Sequence, residues 1–153
     1  MKKEWVEFLR KAKLNGYASE SSVWENTSDG GKTTKFKEGN LVYTDTYFGS
    51  LTDCGQERLL ENEKVVWTMA YRGGIFEKYK ERGGEAFSFL KKCISKIPED
   101  FPARGPKSFE EDDWRYENNW MGDIEDFVGE ENIYYKDEKI CFRNYLGGIV
   151  RNK

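Results

Sequence analysis

Gly55-Gln-Glu-Arg-Leu-Leu-Glu-Asn-Glu-Lys-Val-Val-Trp-Thr-Met-Ala-Tyr-Arg-Gly-Gly-Ile-Phe76 lies without a gap on Gly129-Glu-Glu-Asn-Ile-Tyr-Tyr-Lys-Asp-Glu-Lys-Ile-Cys-Phe-Arg-Asn-Tyr-Leu-Gly-Gly-Ile-Val150 when the chain is shifted by 74 residues. Gly55/Gly129, Glu57/Glu131, Tyr71/Tyr145, Gly73/Gly147, Gly74/Gly148 and Ile75/Ile149 are identical. A shift of 73 extends the match upstream, through Phe36/Phe109, Glu38/Glu111, Tyr43/Tyr116 and Gly49/Gly122. Ten identities over 36 positions far exceed the roughly two that ordinary composition gives by chance. They also fall on Gly and Tyr, whose backbone and packing demands are specific. The match points to an internal duplication, with units 1–76 and 77–153 inside a single domain.

Working outward, Trp5, Phe8, Leu9 and Ala12 lie on one face of a helix expected over residues 2–14, closed by Asn15-Gly16. A more apolar helix is expected over residues 85–96, ended by Pro98. Strands are expected at residues 40–48, 57–60 and 64–71, and again at 114–121, 131–135 and 139–146. Glu61-Asn62-Glu63 and Lys136-Asp137-Glu138 read as the hairpin turns, and the Gly-Gly pairs as the end of each third strand. The expected fold is therefore α+β: two tandem helix-plus-three-strand repeats about a pseudo-twofold axis, helices packed on an antiparallel sheet, with a cleft along the seam. Residues 18–35 read as a polar loop in which Trp24 folds onto the core or caps the cleft. Residues 98–108 hold all three prolines and form a stiff connector.

Composition narrows the chemistry. The 153 residues contain no histidine, which removes Ser-His-Asp and Cys-His activation and the commonest transition-metal ligand. Cys54, Cys93 and Cys141 are odd in number and widely spaced, so neither a disulfide framework nor a zinc site is expected. The acidic run Glu110–Asp113 lacks the spacing of a calcium loop. No phosphate-binding glycine loop, dinucleotide fingerprint or nucleophile elbow is present, so no cofactor is expected. A net charge of −3 makes duplex DNA and anionic membranes poor partners. No apolar run is long enough to span a bilayer and the N-terminus reads as a helix, so a cytoplasmic location is expected.

Candidate site residues follow from the repeat. Glu57 and Glu131 are equivalent and would meet across the seam, as an acid–base pair or as carboxylates satisfied locally by backbone N–H groups. Tyr43, Tyr47, Trp67, Tyr71, Tyr116 and Trp120 recur on the strands, where most must be core and a few would stack on a planar ligand. Asp45 shares a strand face with Tyr43 and Tyr47. Arg104, in the connector, is the best single cation for a ligand anion, or else braces the loop.

Tyr43-Thr-Asp-Thr-Tyr-Phe-Gly49, Gly55-Gln-Glu57, Val66-Trp-Thr-Met-Ala-Tyr71, Arg104-Gly-Pro106, and Gly129-Glu-Glu131 through Tyr145-Leu-Gly-Gly-Ile149 resemble a bacterial family, domain of unknown function 5680, over nearly the whole chain. Members of that family often sit behind a helix-turn-helix of the XRE repressor type. The resemblance thus implies a sensor or effector-binding role and no particular activity. Only one short helix precedes the repeat here, so the chain is not expected to read DNA as a fused member would. The leading expectation is a non-enzymatic module holding a small molecule, nucleotide-like or otherwise, or a partner protein, in the cleft. The alternatives are an enzyme using Glu57 or Glu131 with a tyrosine, and a structural or interaction domain, such as a homodimer formed through a sheet edge.

Overall fold

A computed structural model of the chain, described here for residues 1–151, is dominated by one sheet. The element order is α1 (Lys3–Asn15), β1 (Glu25–Asn26), β2 (Lys32–Glu38), β3 (Leu41–Gly49), β4 (Thr52–Glu61), β5 (Lys64–Ile75), a short 3-10 helix (Glu77–Arg82), α2 (Gly83–Ile94), β6 (Ser108–Glu111), β7 (Trp114–Asp123), β8 (Asp126–Tyr135) and β9 (Glu138–Ile149). The nine strands form a single antiparallel sheet in the order β1-β2-β3-β4-β5-β9-β8-β7-β6.

This corrects the expected fold class. The protein is predominantly β, one continuous sheet with two short helices, and not a pair of helix-plus-three-strand repeats. The strands overlooked in the sequence are β1, β2 and β6. Lys32-Thr-Thr-Lys-Phe-Lys-Glu38 and Ser108-Phe-Glu-Glu111 are so polar that they read as loop. They form because they pair at the outer flanks, where one strand edge and much of each side chain stay in water. The Gly-Gly pairs also lie inside the long strands β5 and β9 rather than beyond them.

The two central hairpins close through two-residue turns. Asn62 and Glu63 have φ of 49° and 66°, and Lys136 and Asp137 have 48° and 64°. Two consecutive left-handed residues match the twist of the flanking strands. The halves meet where β5 pairs with β9, Tyr71 directly opposite Tyr145. Each of these rings folds back over a glycine on the neighbouring strand. A Cβ at Gly55 would lie 2.5 Å from the Tyr71 hydroxyl, and one at Gly129 would lie 2.3 Å from the Tyr145 ring. The glycines at 55 and 129 are thus required by a close approach, not by a turn.

Both helices cover the same face of the sheet. Trp5, Phe8, Leu9 and Ala12 of α1 pack with Tyr43, Leu59, Trp67, Met69, Phe127 and Tyr145. Ala86, Phe89, Leu90, Cys93 and Ile94 of α2 pack with Ile75, Tyr116, Ile133, Ile140 and Cys141. The proline-bearing connector crosses between the helices. Phe101 anchors it by stacking on Trp120, with ring centroids 4.2 Å apart. Asn118 holds it by donating from Nδ2 to the Gly105 carbonyl at 2.8 Å, while the Asn118 N–H donates to the Lys107 carbonyl at 2.9 Å. Arg104 is thereby fixed at the middle of the sheet.

Gly129→Ala is expected to lower the melting temperature by roughly 3–10 °C, the cost of forcing the buried Tyr145 ring off its seat. Gly84→Ala, whose Cβ meets nothing within 4 Å, is expected to leave it unchanged or slightly higher, and differential scanning calorimetry distinguishes the two.

Candidate functional site

A cavity of about 450 Å³ opens between the end of α1, the loop at residues 17–31, α2 and strands β3, β4, β5 and β9. Its walls carry six aromatic rings, Tyr17, Trp24, Tyr43, Tyr47, Tyr71 and Phe87. Its charged lining is Lys13, Asp45, Asp53, Glu57, Arg104 and Arg143, with Lys32 and Lys91 at the exposed rim.

Strand register builds the floor. Asp45 on β3 is directly opposite Glu57 on β4, and both side chains lie on the helix-covered face. Tyr43 and Tyr47 flank Asp45 on that face by the period of two. Tyr71 on β5 donates its hydroxyl to Asp45 Oδ1 at 2.8 Å. On β9, Arg143 donates from Nη2 to both carboxylate oxygens of Asp53, at 2.7 and 2.6 Å.

The remaining charges interlock. Arg104 makes a bidentate pair with Glu131, with Nε donating to Oε2 at 3.0 Å, and the Tyr116 hydroxyl donates to the same oxygen at 2.7 Å. Arg143 Nη1 lies 3.9 Å from Glu131 Oε1, and Arg104 Nη1 lies 4.0 Å from Glu57 Oε1. The Lys13 ammonium donates to the Ala103 carbonyl and abuts Glu57 Oε2, but without hydrogen-bond alignment. Glu57 Oε2 and Arg143 Nε are buried and make no hydrogen bond with the described residues.

Burial opposes the charges of Glu131, Arg104, Lys13 and Asp45, and the neighbours decide which survive. Burial penalises the Glu131 carboxylate, yet Arg104, Arg143 and Tyr116 outweigh that penalty and hold its pKa below the usual range. Arg104 is likewise held ionised by Glu131 against desolvation. Desolvation wins at Lys13, whose pKa falls despite Glu57. Desolvation, then the Glu57 charge, push Asp45 up to about 7, against the pull of Tyr71, Lys13 and Arg104. Burial keeps the Tyr43 and Tyr71 phenols far above their ordinary pKa, so both stay neutral donors.

Of the residues singled out in the sequence, Tyr43, Asp45, Tyr47, Glu57, Tyr71 and Arg104 line this cavity. The other four do not. Trp67 is fully buried core, its indole N–H donating to the Ile124 carbonyl at 2.9 Å. Trp120 stacks on Phe101 under the Lys107 ammonium. Tyr116 and Glu131 lie behind the lining and brace Arg104. Glu57 and Glu131 are therefore not a facing pair: Arg104 stands between them, and the carboxylate opposite Glu57 is Asp45. Trp24 closes the rim edge-on to Tyr47, with centroids 5.2 Å apart.

Sequence reasoning missed Lys13, Asp53 and Arg143, though each left a trace. Lys13 follows Leu9 by four on the apolar stripe of α1, a position that points inward. The row Asp45–Glu57–Met69–Gly147–Phe127 has its counterpart in Asn118–Glu131–Arg143–Gly73–Asp53. Arg143 thus replaces Met69, and Asp53 replaces Phe127. The Met69 and Phe127 positions of the first row are sealed as apolar core with α1, whereas its Asp45 and Glu57, like Arg143 and Asp53 of the second row, carry charge toward the cavity. Among the described residues no cluster of His, Cys, Asp and Glu is arranged to hold a metal ion.

The family model described as domain of unknown function, DUF5680, matches residues 45–150. The chain belongs to this family. The DUF5680 match runs from the middle of β3 to the end of β9, so it contains Asp45, Glu57, Arg104, Glu131 and Arg143 but not Lys13 or Tyr17. A search of curated proteins and one of solved structures find no match.

Arg104→Leu strands Glu131 in the interior and is expected to cost about 3–5 kcal/mol, read as a lower urea midpoint at unchanged slope. Asp45 has the opposite linkage. Its proton is held more tightly in the folded chain than at the ordinary value of 3.8 that applies when unfolded, so the stability it contributes is full below that value and is lost as pH rises through about 7. Asp45→Asn, which retains an acceptor for Tyr71, is therefore expected to raise the melting temperature by about 5 °C or more above neutrality and to change little near pH ~4.

Proposed function

We propose that the chain is a non-enzymatic binding module that takes one small planar molecule into the cavity between α1, α2 and the sheet. The observation that carries this reading is the lining. Six aromatic rings surround a space of about 450 Å³ whose floor holds the Asp45 carboxylate, hydrogen-bonded by the neutral Tyr71 hydroxyl, and a buried donor, Arg143 Nε, that makes no hydrogen bond with the described residues. That volume falls within the usual range of small-molecule sites, and a mostly apolar wall with a few convergent polar groups is their usual chemistry. Unsatisfied buried polar atoms cost free energy, and a ligand that meets them recovers it. The lost stability and the binding energy then reside in the same atoms, as a sensor requires. Such a sensor would work in the cytoplasm. Among the described residues no helix is long and apolar enough to cross a membrane.

A second reading has a specific observation in its favour. Asp45, with its pKa near 7 and Glu57 opposite it, is placed to exchange a proton at neutral pH without histidine. A carboxylate-and-tyrosine enzyme would then use Asp45 and Tyr71. Recovery of the bound compound unchanged after long incubation separates binding from turnover.

A thermal-shift screen of nucleobases, nucleosides, nucleotides and aromatic metabolites is expected to give at least one compound that raises the melting temperature in proportion to the logarithm of its concentration. Trp24→Ala and Tyr47→Ala, both at the half-buried rim, are expected to abolish that shift while leaving the free protein's melting temperature nearly unchanged. A library without a single hit, or a shift that survives both substitutions, would place the ligand elsewhere or remove it.

A further inference from the structure

The buried charges around the cavity do not balance. Lys13, Arg104 and Arg143 are all more than nine-tenths buried and face four carboxylates, the buried Asp45, Glu57 and Glu131 and the half-buried Asp53. Three of those carboxylates are matched: Glu131 by Arg104, Asp53 by Arg143 and Glu57 by Lys13. Asp45 has no cation of its own. Its neighbours are Thr34 on β2, Tyr43 and Tyr47 on its own strand, Glu57 on β4, Tyr71 on β5, Lys13 on α1 and Arg104 on the connector, and its side-chain hydrogen bond comes from neutral Tyr71. Any loss of charge by Lys13, whose pKa burial lowers, makes the surplus more negative still. An uncompensated buried carboxylate must take up a proton or a positive charge.

Resting on the binding reading above, we propose that the ligand is a planar organic cation, an amidinium- or ammonium-bearing ring of nucleobase size, whose N–H groups donate to Asp45 and Glu57 while its ring lies against Trp24, Tyr43 and Tyr47. Only a ligand of charge +1 brings the floor to neutrality with Asp45 ionised. A neutral ligand leaves the proton on Asp45, and an anion adds to the surplus. Asp45, whose side-chain hydrogen bond comes from Tyr71, accepts one N–H of the ligand, and Glu57 directly opposite it on β4 accepts another. The aromatic faces add cation–π attraction, which desolvation strengthens. The face of Tyr71 is already under the Arg143 guanidinium, 5.1 Å from the ring centroid, so the ligand's share falls to the other rings. Lys32 and Lys91 do not reverse the sign, because both are exposed at the rim and screened by water and salt. Binding exchanges one cation for one proton: the Asp45 O–H bond breaks, its electron pair stays on the carboxylate, and the proton passes to solvent.

Three nearly isosteric probes isolate the charge: benzamidine, benzamide and benzoate, titrated calorimetrically into the full chain at pH ~6 and pH ~8 in buffers of different ionisation enthalpy. Benzamidine is expected to bind most tightly. Its affinity is expected to rise up to about tenfold per pH unit below the Asp45 value and to flatten above it, with up to one proton released per molecule bound at the lower pH. Asp45→Asn is expected to remain folded while losing both the proton release and the pH dependence. Benzamide or benzoate binding more tightly than benzamidine, or benzamidine binding without proton release, overturns the cationic assignment and leaves the pocket standing as a site for another ligand. Failure of all three probes at millimolar concentration removes the cationic assignment together with the pocket reading.

Discussion

The pairing of β5 with β9 is the constraint on which everything else rests. It welds two strand meanders into one sheet, and at that weld Tyr71 faces Tyr145 with each ring laid over a glycine of the next strand. Because the weld is antiparallel, residues near one end of β5 meet residues near the other end of β9. The side chains that border the cavity therefore come from both halves of the chain, Asp45, Asp53, Glu57 and Tyr71 from one and Arg143 from the other. Neither half has a floor without its neighbour.

On that platform the two sides of the weld have taken opposite chemistry. Met69 and Phe127 lie in the apolar core with α1, while Arg143 and Asp53 at the equivalent positions border the cavity. The connector makes the difference permanent. It is stiffened by proline and anchored by Phe101 and Asn118, and it delivers Arg104 into the charge network, where Glu131 and Tyr116 lock it. A buried ion cluster of this kind contributes little net stability over an apolar core. It does fix where each charge stands, which is what a site needs.

How much of this was legible in the residues depends on where periodicity survives. α1, α2 and the long central strands carry clear apolar patterns, and Glu61-Asn62-Glu63 announced its turn. β2 and β6 were invisible because flanking strands bury too little to need an apolar alternation, and without them each half read as a helix with three strands instead of part of a nine-stranded sheet. Among the residues singled out, those on the patterned strands border the candidate cavity: Tyr43, Asp45, Tyr47, Glu57 and Tyr71. Arg143 and Lys13 were passed over because a lone basic residue among apolar ones looks like a surface charge. Only comparison of Arg143 with Met69, or placement of Lys13 on the inward stripe of α1, marks either as internal. Trp67 and Trp120 lie outside the cavity lining, since a large ring on a strand is core far more often than wall.

The flanks of the sheet have one more consequence. β1 is two residues long and β6 only four, and β2 presents Lys35 and Lys37 to solvent along the side that β1 leaves open. Stubby, lysine-studded borders offer an incoming strand few backbone groups to zip onto and a desolvation penalty if it tries. A sheet of nine strands with unprotected margins would template its own fibrils. On the β2 side of this one, a strand that docked would have to strip water from two ammonium groups.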